Sequence, residues 1–232
     1  MNFEWNPQTI RWYEEANNYS GFFGNLAGLI APRLQGYSSL CDIGCGLGLL
    51  DLELSQSINR ITCIDINRNA LAALQKNMET RNITNITPRL LDCRNLEGEW
   101  DVICVCFFGS KEIEEFLSHC RKLIAVVGKQ QQTELYPEKY REFRKNTAEN
   151  LELVLKEQGR DYLLTEAAFE FGQPFRSRAD ADSFIRTHCP AIISEELHSF
   201  LSESLRVTGD PQFPLIIPRL KSFGVFEIKG GL

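Results

Sequence analysis

Three carboxylates and three glycines in this chain are spaced for small-molecule chemistry. In Asp42-Ile43-Gly44-Cys45-Gly46-Leu47-Gly48 an acid precedes glycines at alternate positions. Asp65 closes the next apolar run and Asp92 the one after it. Glycines so placed let the backbone approach a ligand closely, because no Cβ intervenes. The N–H groups that open the following helix carry partial positive charge. Such a turn holds a phosphate, or equally the carboxylate of an amino-acid-like cofactor. A carboxylate ending the second strand, about 20 residues past the turn, is placed for a ribose diol. Each aspartate alone reads as readily as a helix cap or turn residue. All three in register with the glycines form a specific pattern.

The dinucleotide fingerprint G-x-G-x-x-G fails here, since its third glycine falls on Leu49 or Asp51. No G-x-x-x-x-G-K-[ST] sequence is present either. The D-x-G-x-G-x-G sequence resembles motif I of the class I S-adenosylmethionine (SAM)-dependent methyltransferases. The resemblance implies that Asp42 helps hold the cofactor's α-amino group and that the glycines lie against its amino-acid portion. It implies that Asp92 binds the adenine amino group, with Cys93 along the ring. Tyr19 is where some members supply a hydroxyl to the cofactor's carboxylate. The implied cofactor set is Tyr19, Asp42, Gly44, Cys45, Gly46, Asp65, Ile66, Asp92, Cys93 and Cys106. Trp12, Tyr13, Phe22, Phe108 and Gly109 are the candidates for the acceptor. The segment from Gly172 to Phe184 resembles the region after the sixth strand in small-molecule enzymes of the ubiquinone/menaquinone-biosynthesis type, where a helical insert closes the acceptor pocket.

The elements that must position these residues follow from periodicity. Strands are expected at 40–43, 60–66, 86–91, 101–108, 123–127, 162–171 and 223–229. Helices are expected at 49–57, 69–81, 111–121 and 144–158. Alternating strands and helices call for a doubly wound, Rossmann-like and mostly parallel sheet. The family order is 3-2-1-4-5-7-6. Pro88 cannot donate to a ladder and so belongs on an edge, which suits the third strand. Residues 1–38 should form a helical lid, with 39–171 and 223–229 as the core. Residues 172–222 are then an insertion with helices near 179–187 and 194–206 and an extended, proline-rich return. Together these make a single domain.

The chain has 232 residues, 43% of them hydrophobic, and a net charge of −6. That acidic balance argues against a broad nucleic-acid surface. Lys139, Arg141, Arg144 and Lys145 cluster, but as a solvated helix face. Eight cysteines fall mostly inside apolar runs, and the N-terminus shows no signal peptide, so a cytoplasmic protein with reduced thiols is expected. Their spacing offers no second ligand pair for zinc, and no metal is expected. No apolar run is long enough for a membrane span. The expected activity is SAM-dependent methyl transfer to a small organic acceptor, held between the N-terminal helices and the insertion. Two other readings stand beside it: a non-catalytic SAM-binding or partner protein, and an NAD(P)-linked reductase. Of His119, His188 and His198, together with Glu170 and Tyr136, none is singled out as a catalytic base.

Overall fold

The computed structural model describes residues 4–108, 113–129, 135–140 and 146–232. Its main sheet comprises β1 (Ser39–Ile43), β2 (Arg60–Asp65), β3 (Ile86–Leu90), β4 (Trp100–Cys106), β5 (Cys120–Gly128), β6 (Tyr162–Glu170) and β10 (Leu220–Lys229). The strand order is β3-β2-β1-β4-β5-β10-β6. With β10 counted as the seventh strand, this is the expected 3-2-1-4-5-7-6. β10 runs antiparallel to both neighbours, and the other pairs are parallel. Pro88 does sit on the β3 edge strand.

Strand alternation sorts the side chains onto two faces. Leu40, Val102, Cys104, Ile124 and Val126 face a core completed by α2 (Phe22–Ile30), α3 (Leu49–Leu54) and α4 (Arg68–Arg81). Cys41, Ile43, Ile103, Val105 and Leu123 face a second core, closed by a 3-10 turn at Ile113–His119 and by α5 (Ala148–Glu157). α3 is shorter than 49–57 because Ser55 folds back on the Leu52 carbonyl and Ser57 closes a turn on Leu54. The helix expected at 111–121 is replaced, over its described part, by that 3-10 turn. Cys120 is fully buried and already pairs with Trp100 in the sheet, which ends the helical path at His119. The expected start of α5 at 144 and the residues Arg141, Arg144 and Lys145 lie outside the described residues.

The insertion builds a third core. α6 (Arg178–His188) and α7 (Ser194–Ser204) appear where expected, and the proline-rich return is more ordered than a loop. β7 (Gln173–Phe175), β8 (Arg206–Val207) and β9 (Leu215–Ile217) form a small antiparallel sheet, and its pairing with β9 stops α7 short of 206. Phe175, Phe184, Ile185, Leu197, Leu201 and Ile217 pack there around Trp12 of α1 (Pro7–Ser20). α1 opens with a capping box, Asn6 accepting from Thr9 and the Thr9 hydroxyl returning the bond, with Pro7 at the first helical position. One side of α1 gives Trp12 to the third core, while Ile10, Tyr13 and Ala16 pack on the first. α1 therefore joins the insertion to the sheet.

Candidate cofactor and acceptor site

The crevice of an open α/β sheet lies where strand order reverses, here between β1 and β4. The glycine turn leaves β1 at this point. Gly44 and Cys45 both donate to the Ile64 carbonyl, at 2.8 and 3.1 Å, and tie the turn to β2. Gly44 and Gly46 have φ of 72° and 55°, where an L side chain is strained. A Cβ on Gly44 would stand 2.3 Å from the Phe108 ring, and one on Gly46 would stand 3.3 Å from the Trp5 indole. Two aromatic rings thus lie against the two glycines. Gly48 does different work, giving room to Leu74 of α4, which a Cβ there would meet at 2.5 Å.

Asp65 joins the turn directly. Its Oδ2 accepts from the Gly46 N–H at 2.9 Å and its Oδ1 from Asn67 at 2.8 Å. Ile66 beside it is 49% exposed, an apolar side chain open to a ring. Asp92 ends the β3 segment, caps the next turn through the Arg94 N–H and pairs with the Arg94 side chain. Hydrogen bonds from Arg94 lower its carboxyl to about 2. Cys93, which opens the short turn after β3, and Cys106, which ends β4, are half-buried.

Asp42 lies beneath the turn, buried on the same face as Leu40, and meets Asp51 from the first turn of α3. Oδ1 of Asp42 and both oxygens of Asp51 are buried without a well-placed donor, the Asp51 carboxyl facing that of Asp42 and the Cys63 thiol. Burial pushes Asp42 well above the usual carboxylate range, and the charge on Asp51 adds to this. Burial also raises Asp51, to about 6, against the hydrogen bond that a protonated Asp42 supplies. The pair therefore shares a proton at neutral pH. Sequence reasoning passed over Asp51. Its signal was a single acid inside the apolar run Leu49-Leu50-Asp51-Leu52.

The remaining candidates divide. Tyr13 packs edge-on to Trp5 and Phe171, with centroids 5.3 and 5.4 Å apart. Burial drives its hydroxyl well above the usual tyrosine range. Trp12 and Phe22 are interior, at 1% and 0% exposure. Tyr19 is 40% exposed and stands edge-on to Phe213. It lines a cavity of about 1080 Å³ between α1, α4 and the loop at 210–213. That cavity is bordered by Arg11, Lys76 and Arg176 and by none of the turn glycines. Gly109 lies outside the described residues. His119 bonds the Gly98 carbonyl, His188 stacks on Tyr136, and His198 is exposed on α7. Glu170 is exposed as well.

A glycine turn leading from β1, carboxylates ending β1, β2 and β3, and this strand order define a class I methyltransferase arrangement. Residues 40–128 match the family model of the methyltransferase domain. The match covers that part of the chain with a methyltransferase domain. No curated protein sequence matches the chain significantly. Among solved structures it is similar to YcgJ of Bacillus subtilis, with 12% identity over 90% of this chain and 99% of that one and a TM-score of 0.55. It is similar to the magnesium protoporphyrin IX methyltransferase of Synechocystis with bound SAM, with 14% identity over 99% and 87% and a TM-score of 0.54. The [4+2]-cyclase SpnF is another neighbour, with 16% identity over 89% and 80% and a TM-score of 0.54. At these identities the neighbours speak for the fold alone.

Proposed function

We propose that the protein transfers the SAM methyl group to a small organic acceptor, held where α1, α2 and the insertion meet the ends of β4 and β10. The observation that carries this reading is the turn at Gly44–Gly46, where the two glycines are walled by Phe108 and Trp5. SAM suits that cradle. Asp42 brings a carboxyl beneath the turn, Asp65 offers a carboxylate to a diol, and the glycines present bare backbone against which the Phe108 and Trp5 rings lie. The site residues in this assignment are Asp42, Gly44, Cys45, Gly46, Asp65, Ile66, Asp92, Cys93 and Cys106 for the cofactor. Tyr13 and Phe108 serve the acceptor.

When bound, the cofactor supplies a methyl group on a cationic sulfur. The chain's part is to hold the reactants in line and keep water out, which is enough to supply much of such a displacement's acceleration. Asp65 fixes the turn through the Gly46 N–H, and Trp5 and Phe108 cover it. Among the described residues nothing resembles an open basic groove for a duplex. Among the described residues no helix is long and apolar enough to cross a membrane. Titration calorimetry with SAM and with NADH, followed by labelled methyl transfer into a metabolite pool, tests the assignment. SAM binding with transfer into a small-molecule fraction is expected. NADH binding without SAM binding overturns it, and SAM binding with no transfer to any fraction leaves the non-catalytic alternative in its place.

A further inference from the structure

The two edges of the main sheet are finished differently. β3, at one edge, has five residues and carries Pro88, which offers no N–H. β6, at the other, has nine residues and no proline, lysine or bulge to discourage pairing. Along β6 the backbone groups alternate in direction. Phe171, next after the strand, donates to the Arg219 carbonyl at 2.8 Å on the β10 side. The register runs unbroken from Tyr162 to Glu170, so Leu163, Thr165, Ala167 and Phe169 also turn their N–H and C=O groups to β10. Those of Tyr162, Leu164, Glu166, Ala168 and Glu170 point to the open edge, where no strand pairs with them among the described residues.

The side chains of this edge are self-complementary. Leu163 is 68% exposed, and Ala168 is exposed as well. Glu166 pairs with Lys129. Arg160, bonded to Gln158 at 3.1 Å, and Glu170 belong to no ion pair among the described residues. These two stand five residues to either side of Thr165. An antiparallel copy of the strand centred on Thr165 therefore sets Arg160 opposite Glu170 at both ends. It also sets Leu164 opposite Glu166, Leu163 opposite Ala167 and Tyr162 opposite Ala168, and Thr165 meets its own copy in a favourable cross-strand pair. Centring on Glu166 would oppose two like carboxylates, and centring on Ala168 would set Glu166 against Glu170.

We infer that two copies of this chain pair through β6, antiparallel about a two-fold axis at Thr165, and join their seven-stranded sheets edge to edge. The outward N–H and C=O groups of Leu164 and Glu166, and of Tyr162 and Ala168, bond across the axis, and Leu163 is covered by Ala167 of the other copy. Main-chain bonds supply the strength of such an edge, and the charged ends fix its register. The interface is apart from the glycine turn and does not depend on the methyl-transfer reading.

Sedimentation equilibrium of the full chain should show a monomer–dimer equilibrium. Residue-resolved hydrogen exchange reads the edge without any variant. The amides of Leu164, Glu166 and Ala168 should gain protection as concentration rises through the dimer midpoint. Those of Leu163, Thr165 and Ala167, already bonded to β10, should be protected throughout. Glu170→Arg sets two guanidinium groups together at each end and should weaken the dimer about tenfold, as should Arg160→Glu with its paired carboxylates. The double swap, Arg160→Glu with Glu170→Arg, should restore it to the parent's strength. A parent that stays monomeric, a dimer whose protection appears elsewhere, a dimer that Glu170→Arg leaves unchanged, or a double swap as weak as the single variants overturns the inference.

Discussion

The glycine turn, which makes room for Leu74 of α4, and the insertion, which packs around Trp12 of α1, handle charge in opposite ways. Beneath the turn, Asp42 and Asp51 face each other and must share a proton. Where the insertion meets α1, Asp180 accepts from the Trp12 indole at 2.9 Å and from Arg11 at 2.6 Å, and Glu15 pairs with Arg11 and Arg176. Asymmetric pairing of this kind makes the insertion's attachment a matter of ion pairs and one indole. The turn is a matter of backbone shape. In the proposed site the turn is the cradle and the separately cored insertion its cover, so that the two can respond to different conditions.

Trp12→Ala attacks the comparison hardest. The indole is 1% exposed and centres the third core, edge-on to Phe184 at 5.2 Å. Removing a buried ring of this size costs about 3–5 kcal/mol. Hydrogen exchange should show β7, α6 and β9 losing protection while the seven-stranded sheet keeps it. Loss from both regions together would mean a single cooperative unit and would erase the distinction.

Asp65→Ala strikes the other region. The carboxylate holds the Gly46 N–H, and in the proposed site it accepts from the ribose; a hydrogen bond to a charged group is worth about 1.5–3 kcal/mol, or roughly ten- to a hundredfold in affinity. Calorimetry should show that loss for SAM with insertion protection unchanged. Parent-like affinity in a folded variant would remove Asp65 from the site.

The sheet was legible because each strand is a short apolar run and one proline marks an edge. The turn was legible because glycine and aspartate have few other reasons to alternate there. Most of what was missed depends on distant partners. Gly48 belongs to Leu74, twenty-six residues on, and Trp5 reaches Gly46 from a segment that periodicity could only describe as aromatic. Lys221 reads in the sequence as an ordinary strand-end lysine, and three rings from three other segments give it its setting. The small sheet of the insertion has strands of two and three residues, too short to show a period.

Opposite pairing predicts opposite responses to pH. Asp51 is raised from 3.8 to about 6 by burial, so folding favours its protonated form. Its contribution is fully present below 3.8 and is lost as pH rises through 6. Burial opposes ionisation of Asp180, but bonds from Arg11 and Trp12 outweigh it and hold that carboxyl below its ordinary value. Its contribution is present above 3.8 and is lost as pH falls through the lowered value. Asp51→Asn should therefore flatten the alkaline side of the stability profile, by on the order of 1–3 kcal/mol, and leave the acid side intact. Asp180→Asn should do the reverse. Denaturant midpoints from pH 3 to 8 read both, and matching profiles in the two variants would refute the contrast.

The smallest effect is expected from Tyr19→Phe, and it bears on whether the cover moves. The Tyr19 ring stands edge-on to Phe213 and lines the cavity beside α4, away from the turn glycines. The end of α1 is pinned. Asn17 accepts from the Phe23 N–H at 2.9 Å, and Gly21 at φ 65° caps α1 and starts α2 without a linker. With these contacts kept, loss of one exposed hydroxyl changes SAM affinity by less than about 0.5 kcal/mol, about twofold. A hydroxyl that bonds the cofactor's carboxylate would instead be worth about 1.5–3 kcal/mol, at least tenfold. For that to happen α1 must swing at Gly21, part from Phe213 and carry Trp12 and the insertion with it. A twofold change with equal exchange protection at residues 4–25 and 178–206, with and without SAM, would establish a fixed cover. A tenfold loss, with SAM-dependent protection in those same segments, would show that the cover closes on the cofactor.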